Sequence, residues 1–307
     1  MCKAILITFA GMNPTTYKFT DLIINPNGSI YHLHLKPGQV APTVILVGDP
    51  ARVGVISRHF DRMESRIRNR ELLSHTGYLG NKRVTVLSTG MGTDNIDIVV
   101  HELDALVNID FRTRTRKKEH TRLSVIRIGT SGAIQPEVPL NAFVLSEYAI
   151  GIDGLLNYYD HHHRLEEELA DTFREHIGWP KQLPLPYAAK GSDFLTSSLG
   201  DGLLRGITLT AQGFYGPQGR SVRIPLAFPD LNERIASFAY KGKKIINYEM
   251  ETAALYGLCT LLGHEALTIC VAIANRATNQ FDPEYQRMVR NLVELFVERL
   301  RNLQELP

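Results

Sequence analysis

Short apolar runs punctuate the chain at Val44–Val47, Val84–Ser88, Leu123–Ile128, Ala142–Ser146 and Leu267–Ala274. Runs of this length predict buried strands. Elsewhere the apolar spacing changes to three and four. Ile96, Val99, Val100, Leu103 and Val107 share one face of a helix predicted over Asp94–Val107. A second helix is predicted over Glu251–Leu262 and ends at Gly263, a natural left-handed cap. A third starts at Pro283, with Tyr285, Met288, Val289, Leu292 and Phe296 as its apolar stripe. Strands alternating with helices predict an α/β fold, with helices on both faces of a central sheet. No internal repeat or linker divides the chain, so one domain is expected.

Composition narrows the picture. The 307 residues are 44% hydrophobic and 21% charged, ordinary values for a globular enzyme. A net charge of +2 gives no reason to invoke nucleic acid or an acidic membrane. Cys2, Cys259 and Cys270 are too few for a disulfide framework and read as reduced thiols of a cytoplasmic protein. No apolar run approaches the roughly 20 residues that span a bilayer. Met1–Met12 carries one lysine and a short apolar stretch without a convincing cleavage site, so residues 1–30 read as an N-terminal extension before a body over 31–307.

Two segments look inserted. The basic run Phe111–Arg122 has no interleaved aromatic residues and reads as a solvated loop rather than a nucleic-acid patch. His161-His162-His163, in a charged stretch, reads as a solvent-facing helix start rather than a metal site.

The polar stations at the strand ends carry the chemistry. In Arg127-Ile-Gly-Thr-Ser-Gly132, the buried strand Leu123–Ile126 is followed by a fixed cation, two hydroxyls and glycine backbone, before Ala133-Ile134-Gln135-Pro136 follows the turn. That set can grip a small anion. Gly48-Asp49-Pro50-Ala51-Arg52 puts a second arginine at a second strand end, and two arginines suit one phosphate. Asn247-Tyr248-Glu249-Met250-Glu251-Thr252 places two carboxylates around a methionine, a set that fits a sugar: carboxylate to vicinal hydroxyls, thioether against the ring. Phe214-Tyr215-Gly216-Pro217-Gln218-Gly219-Arg220 offers a stacking face, an amide and a cation, the groups that read a uracil-like base. Asn275-Arg276 closes the strand Leu267–Ala274 with another polar pair.

On these motifs the chain resembles the hexameric-type nucleoside phosphorylases, and their uridine-specific branch most closely. GDPARV, STGMGTDN, RIGTSGAIQP, FYGPQGR, NYEMET and ANR occur in that family's order, from about Tyr31 to the C-terminal helix. The resemblance implies a three-layer αβα single domain with a central twisted mixed sheet. It also implies reversible phosphorolysis of a nucleoside by inorganic phosphate, a co-substrate, with no cofactor. Phosphate would be held by Gly48, Arg52, Arg127 and Thr130, and by Arg70 across a dimer interface. Ribose would be held by Met250, Glu251 and the neighbouring subunit's equivalent of His32. Phe214, Gln218 and Arg220 would bind the base, and Arg276 would join Arg220 and Glu251 in catalysis. A homo-oligomer follows, with a dimer as functional unit and a hexamer as the expected assembly. Glu71 matches a family glutamate that can bind a monovalent cation, although Asn95 stands where the family has a serine.

Purine-specific members carry Ser-Asp where this chain has Asn275-Arg276, and an arginine cannot protonate a purine. Gly216-Pro217 reverses the family's usual order, Asn69 replaces a histidine and Asn141-Ala142 replaces Gly-Asp; these departures bear on substrate range. The alternatives are a purine or broad-specificity nucleoside phosphorylase, or a non-catalytic nucleoside-binding protein.

Overall fold

The structure is a computed structural model that describes residues 16–303; Met1–Met12 and Cys2 lie outside the described residues. The first half contains β1 (Thr43–Val47), α1 (Pro50–Ser57), β2 (Arg62–Asn69), β3 (Leu72–Leu79), β4 (Lys82–Ser88) and α2 (Thr93–Asn108). β5 (Ile109–Asp110), β6 (Thr115–Arg116), β7 (Ser124–Ala133), β8 (Phe143–Gly151), α3 (Glu167–Ile177), β9 (Tyr187–Lys190) and α4 (Asp193–Leu199) follow. The remainder is β10 (Leu204–Thr210), α5 (Leu231–Ser237), β11 (Ala239–Tyr240), β12 (Lys243–Glu249), α6 (Thr252–Leu262), β13 (Glu265–Asn275), β14 (Gln280–Phe281) and α7 (Gln286–Asn302).

β1 is TVILV, buried at every position, because it runs parallel between β4 and β7 with both faces covered. The mixed sheet has the order β11-β12-β10-β8-β13-β7-β1-β4-β3-β2. β12 also pairs antiparallel with β7, so the strands from β7 to β12 close on themselves. One apolar layer packs α2 and α6 against the sheet; another packs α1, α4 and α7 on different sheet residues. This is the expected layered α/β architecture, with the added closure. A third cluster, around Phe173, Trp179 and Phe238, seats α3 and α5.

The closure corrects the reading of residues 127–133. The chain does not turn after Ile126: β7 continues to Ala133, pairs with β13 along its length, and meets Tyr248 and Asn247 through Gly132 and Ala133. Several boundaries also shift. β8 runs on to Gly151, Glu251 is the residue before α6 rather than its first turn, and α7 starts at Gln286 rather than Pro283. His161–His163 precede α3, whose first residue is Glu167.

The basic segment is more than a solvated loop. β5 and β6 form a small hairpin, and Arg114 between them is buried with a left-handed φ of 57°. Its guanidinium donates to the carbonyls of Tyr17, Lys18 and Leu22, and it stacks 4.5 Å from the Phe19 ring. Arg116 Nε reaches Tyr17 Oη at 2.8 Å. The insertion therefore clasps residues 17–22 onto the body, and Leu22 and Ile30 enter the core layer of α2. Hydrogen bonds from a charged donor contribute more than neutral ones, so Arg114→Ala is expected to lower stability by about 1.5–3 kcal/mol in urea unfolding. An unchanged midpoint would rule out the clasp.

Candidate active site

Arg127 stands in the middle of β7 with its side chain 5% exposed. Its Nη2 donates to Glu251 Oε2, and its Nη1 lies 3.5 Å from Glu249 Oε2 and 3.5 Å from Cys270 Sγ. Gly129 makes this possible: a Cβ there would stand 2.2 Å from Arg127 Nη1. Burial lowers the arginine's pKa, but Glu251, Cys270 and Glu249 outweigh it and hold the group above its ordinary value. It is a permanent cation.

The two carboxylates are fixed by the strand-to-helix passage from β12 to α6. Glu249 Oε2 accepts from the backbone N–H of Glu251 and of Thr252, each at 2.9 Å, and its Oε1 accepts from Thr210 Oγ1 at 2.5 Å. It thus supplies acceptors to N–H groups that a helix start leaves without partners. Glu251 Oε1 accepts from Gly92 N at 2.9 Å, and Oε2 accepts from Met250 N at 3.3 Å. Gly92 has a φ of 99° and begins α2, where a side chain would be strained and a Cβ would meet Asp94 Oδ1. Burial pushes Glu249 up to about 7, against the pull of Arg127.

Arg52 lies on the first turn of α1, with Asp49 as N-cap and Pro50 at the first helical position. The segment Gly48–Arg52 is thus the start of a helix. Arg52 is buried; desolvation lowers its pKa, Asp49 opposes this, and the nearby Arg127 lowers it further. Nε of Arg52 and Nε of Arg127 are buried without an acceptor among the described residues. Two unpaired guanidinium N–H groups, on arginines close enough for Arg127 to lower the pKa of Arg52, suit an anion. Gly48 follows β1, and its N-terminal neighbour Val47 is tied to the β4 end through Thr89 N. A Cβ on Gly48 would approach Gly90 O to 3.3 Å. Thr130 is half-buried, three residues along β7 from Arg127. No hydrogen bond joins its side chain to the cluster among the described residues.

The expected base residues gather at the end of β7. A Cβ on Gly132 would be 3.9 Å from Arg220 Nη2. Arg220 Nη1 donates to Gln218 Oε1 and to Phe214 O, both at 2.6 Å, and its guanidinium sits 3.8 Å from the Phe214 ring centroid. Arg276 Nη1 donates to Gln218 O, with Nη2 3.3 Å from Gly219 O. Burial, then Arg276, pulls Arg220 down to about 10, and burial lowers Arg276 as well. An apolar cavity of about 630 Å³ opens beside Gly219 and Arg220, lined in part by Trp179, Leu183, Ile224 and Phe228.

His32 and Arg70 lie together but join neither cluster. Asn69 Nδ2 donates to His32 O at 2.8 Å, and Glu102 of α2 accepts from His32 N, His32 Nδ1 and Leu33 N. Arg70 is exposed in the β2–β3 turn with a φ of 53°. Glu71 is adjacent to Gly90 and Asn95, whose side chains close over the glycine's α-carbon.

Both glutamates of NYEMET belong to the sugar-fitting set expected from the sequence, and only Glu251 takes a specific ribose role from the resemblance. Thr210 and Cys270 carried no local signal, and Gly92 lay in STGMGTDN without an assigned role. Among the described residues, the group with metal-ligand spacing is His120, His264 and Asp104. Leu123 N donates to His264 Nδ1, so a neutral ring keeps its proton on Nε2, 3.2 Å from Asp104 Oδ1. Such a ring has no lone pair left for a metal.

Residues 42–303 match the family model of the phosphorylase superfamily. A uridine phosphorylase of Thermococcus kodakarensis is 33% identical over 261 residues, covering 83% of this chain and 80% of that protein. A DeoD-type purine nucleoside phosphorylase of Hahella chejuensis is 27% identical, covering 87% of this chain and 96% of its own. The solved Trypanosoma brucei nucleoside phosphorylase, described as showing uridine phosphorylase activity, superposes with a TM-score of 0.82 at 29% identity, covering 92% of this chain and all of that one. The chain belongs to the phosphorylase superfamily.

Proposed function

We propose that the protein is a uridine phosphorylase, a pentosyltransferase that converts uridine and inorganic phosphate reversibly to uracil and ribose 1-phosphate. The observation that carries this reading is the three-part array along β7: Arg52 and Arg127 at one end, Glu251 and Met250 beside them, and Gln218, Arg220 and Arg276 at the other. Uridine phosphorylase relatives in bacteria and archaea support it.

Phosphate is assigned to Arg52, Arg127, Gly48 and Thr130, with Arg70 from a second subunit. Its oxygen attacks C1′ as the bond to N1 of uracil breaks, through an oxocarbenium-like sugar, and the electron pair leaves with the base. Glu251 holds the 2′ and 3′ hydroxyls, Met250 packs the ring, and His32 reaches the neighbouring subunit's ribose. Arg220 and Arg276 disperse the charge that develops on uracil, an interaction worth most in the transition state. Phe214 is assigned to the base face, Gln218 to its amide edge. Phosphate serves as co-substrate without a cofactor, Glu71 is the candidate ligand of a monovalent cation, and the working unit is a homodimer within a hexamer. The buried thiols Cys259 and Cys270 favour a cytoplasmic setting. No described helix is long and apolar enough to cross a membrane.

The purine reading has relatives in its favour but needs an acid where Arg276 stands; Arg276 has no acidic partner among its hydrogen bonds. Uridine absorbance followed with and without phosphate, beside inosine, tests the proposal. Phosphate-dependent turnover of uridine, with inosine far slower, is expected; phosphate-independent turnover or preference for inosine would overturn it. Arg220→Ala is expected to lower uridine kcat/KM by roughly 10²–10³-fold, the scale of one lost oxyanion donor, with phosphate affinity nearly unchanged. Equal loss of phosphate binding would merge the two ends of the site.

A further inference from the structure

Glu249 belongs to none of the three parts, yet it touches the residue that joins two of them. It sits within 3.5 Å of Arg127 and is held by Thr210 and by the N–H groups that begin α6. Arg127 therefore faces two carboxylates, and the local set balances Arg52 and Arg127 against Glu249 and Glu251. An anion entering beside the arginines meets a neutral cluster while Glu249 is ionised and a positive one when Glu249 carries a proton.

We infer that Glu249 is a positioning residue whose charge sets how much of Arg127 is available to phosphate, so that anion binding at this site takes up a proton onto Glu249. The inference rests on the proposed phosphate site. Thr210 lets the proton settle: its hydroxyl, 2.5 Å from Oε1, donates to the carboxylate and accepts from a carboxylic acid, while Ala253 N donates to it at 2.9 Å. The other groups facing Glu249 are Arg127 from β7, Glu251 ahead of α6, Tyr187 from β9, Tyr256 from α6 and Cys270 from β13. Burial raises both tyrosines above their ordinary range and pushes Cys270 up to about 12, so these three stay neutral near pH 7. Arg127 stays charged, and Arg52 is coupled to it and to Cys270. Asp153, which accepts from Tyr187 Oη, lies one residue further out. Glu249, pushed up to about 7, is the group placed to change state.

The sign follows from linkage. A bound dianion favours protonated Glu249, so affinity is full below the free group's pKa and declines as pH rises through it.

Sulfate is the suitable probe because, unlike phosphate, its own charge does not change near neutrality. Each pKa unit by which the bound dianion raises Glu249 corresponds to tenfold in affinity, so calorimetry on the full chain is expected to show sulfate binding roughly tenfold weaker at about pH 8.5 than at about pH 5.5. Glu249→Gln, whose amide can accept from the α6 N–H groups and donate to Thr210, is expected to bind with the tighter affinity and a flat profile. Thr210→Val removes a donor that favours the ionised form, and its transition is expected at higher pH than wild type. Sulfate binding with the same slope in wild type and Glu249→Gln, or an unmoved transition in Thr210→Val, would overturn the role of Glu249. Absence of sulfate and phosphate binding to wild type at every pH would instead overturn the phosphate site beneath it.

Discussion

A guanidinium buried in a β-sheet must be paired, and Arg127 is the residue around which this sheet closes. An unpaired buried charge costs several kcal/mol after relaxation, and removal of one partner from a buried pair costs about 3–5 kcal/mol. Glu251 and Glu249 both come from the end of β12 and the start of α6. They reach Arg127 because β12 turns back antiparallel against Gly132 and Ala133 at the end of β7. The closure of the sheet and the pairing of the arginine are two descriptions of one arrangement.

That arrangement has chemical consequences. A planar guanidinium offers donors along two edges. Arg127 gives one nitrogen to Glu251, the proposed ribose ligand, and keeps a buried N–H free beside Arg52. On the proposed assignment, phosphate and sugar share one rigid group, which would fix the distance between nucleophile and C1′ and remove orientational freedom before reaction. The base end is built separately from Arg220, Arg276 and the 214–220 turn, tied together by backbone carbonyls. On the proposed assignment, charge dispersal on uracil and capture of phosphate would be separately alterable.

Much of this was legible along the chain because apolar runs mark strands buried on both faces, as in β1 and β13, and spacing of three and four marks α2, α6 and α7. β2, RMESRIRN, was not legible: it is an edge strand alternating exposed and half-buried positions, so charge masks its pattern. The glycines and hydroxyls of residues 129–132 read as a turn, since nothing local reveals that β13 and β12 supply their partners. Gly129 is in a strand to make room for a folded-back arginine, not to bend the chain. Arg114 looked like one of many surface cations in a basic run; burial came from carbonyls almost a hundred residues away in sequence, an environment that composition does not encode. The motif residues at the strand ends stand out in the sequence because their chemistry is local. Glu249 was legible only as one carboxylate of a sugar-fitting set, because its partners are a hydroxyl on β10 and a cation on β7.

Arg127 is proposed to serve phosphate and ribose together, and steady-state kinetics of Arg127→Lys beside Arg52→Lys, with each substrate varied, test this. Lysine keeps the charge but loses the planar fork. The account predicts that Arg127→Lys raises the KM for phosphate and the KM for uridine together, whereas Arg52→Lys raises the phosphate KM alone. A uridine KM untouched by Arg127→Lys would contradict it.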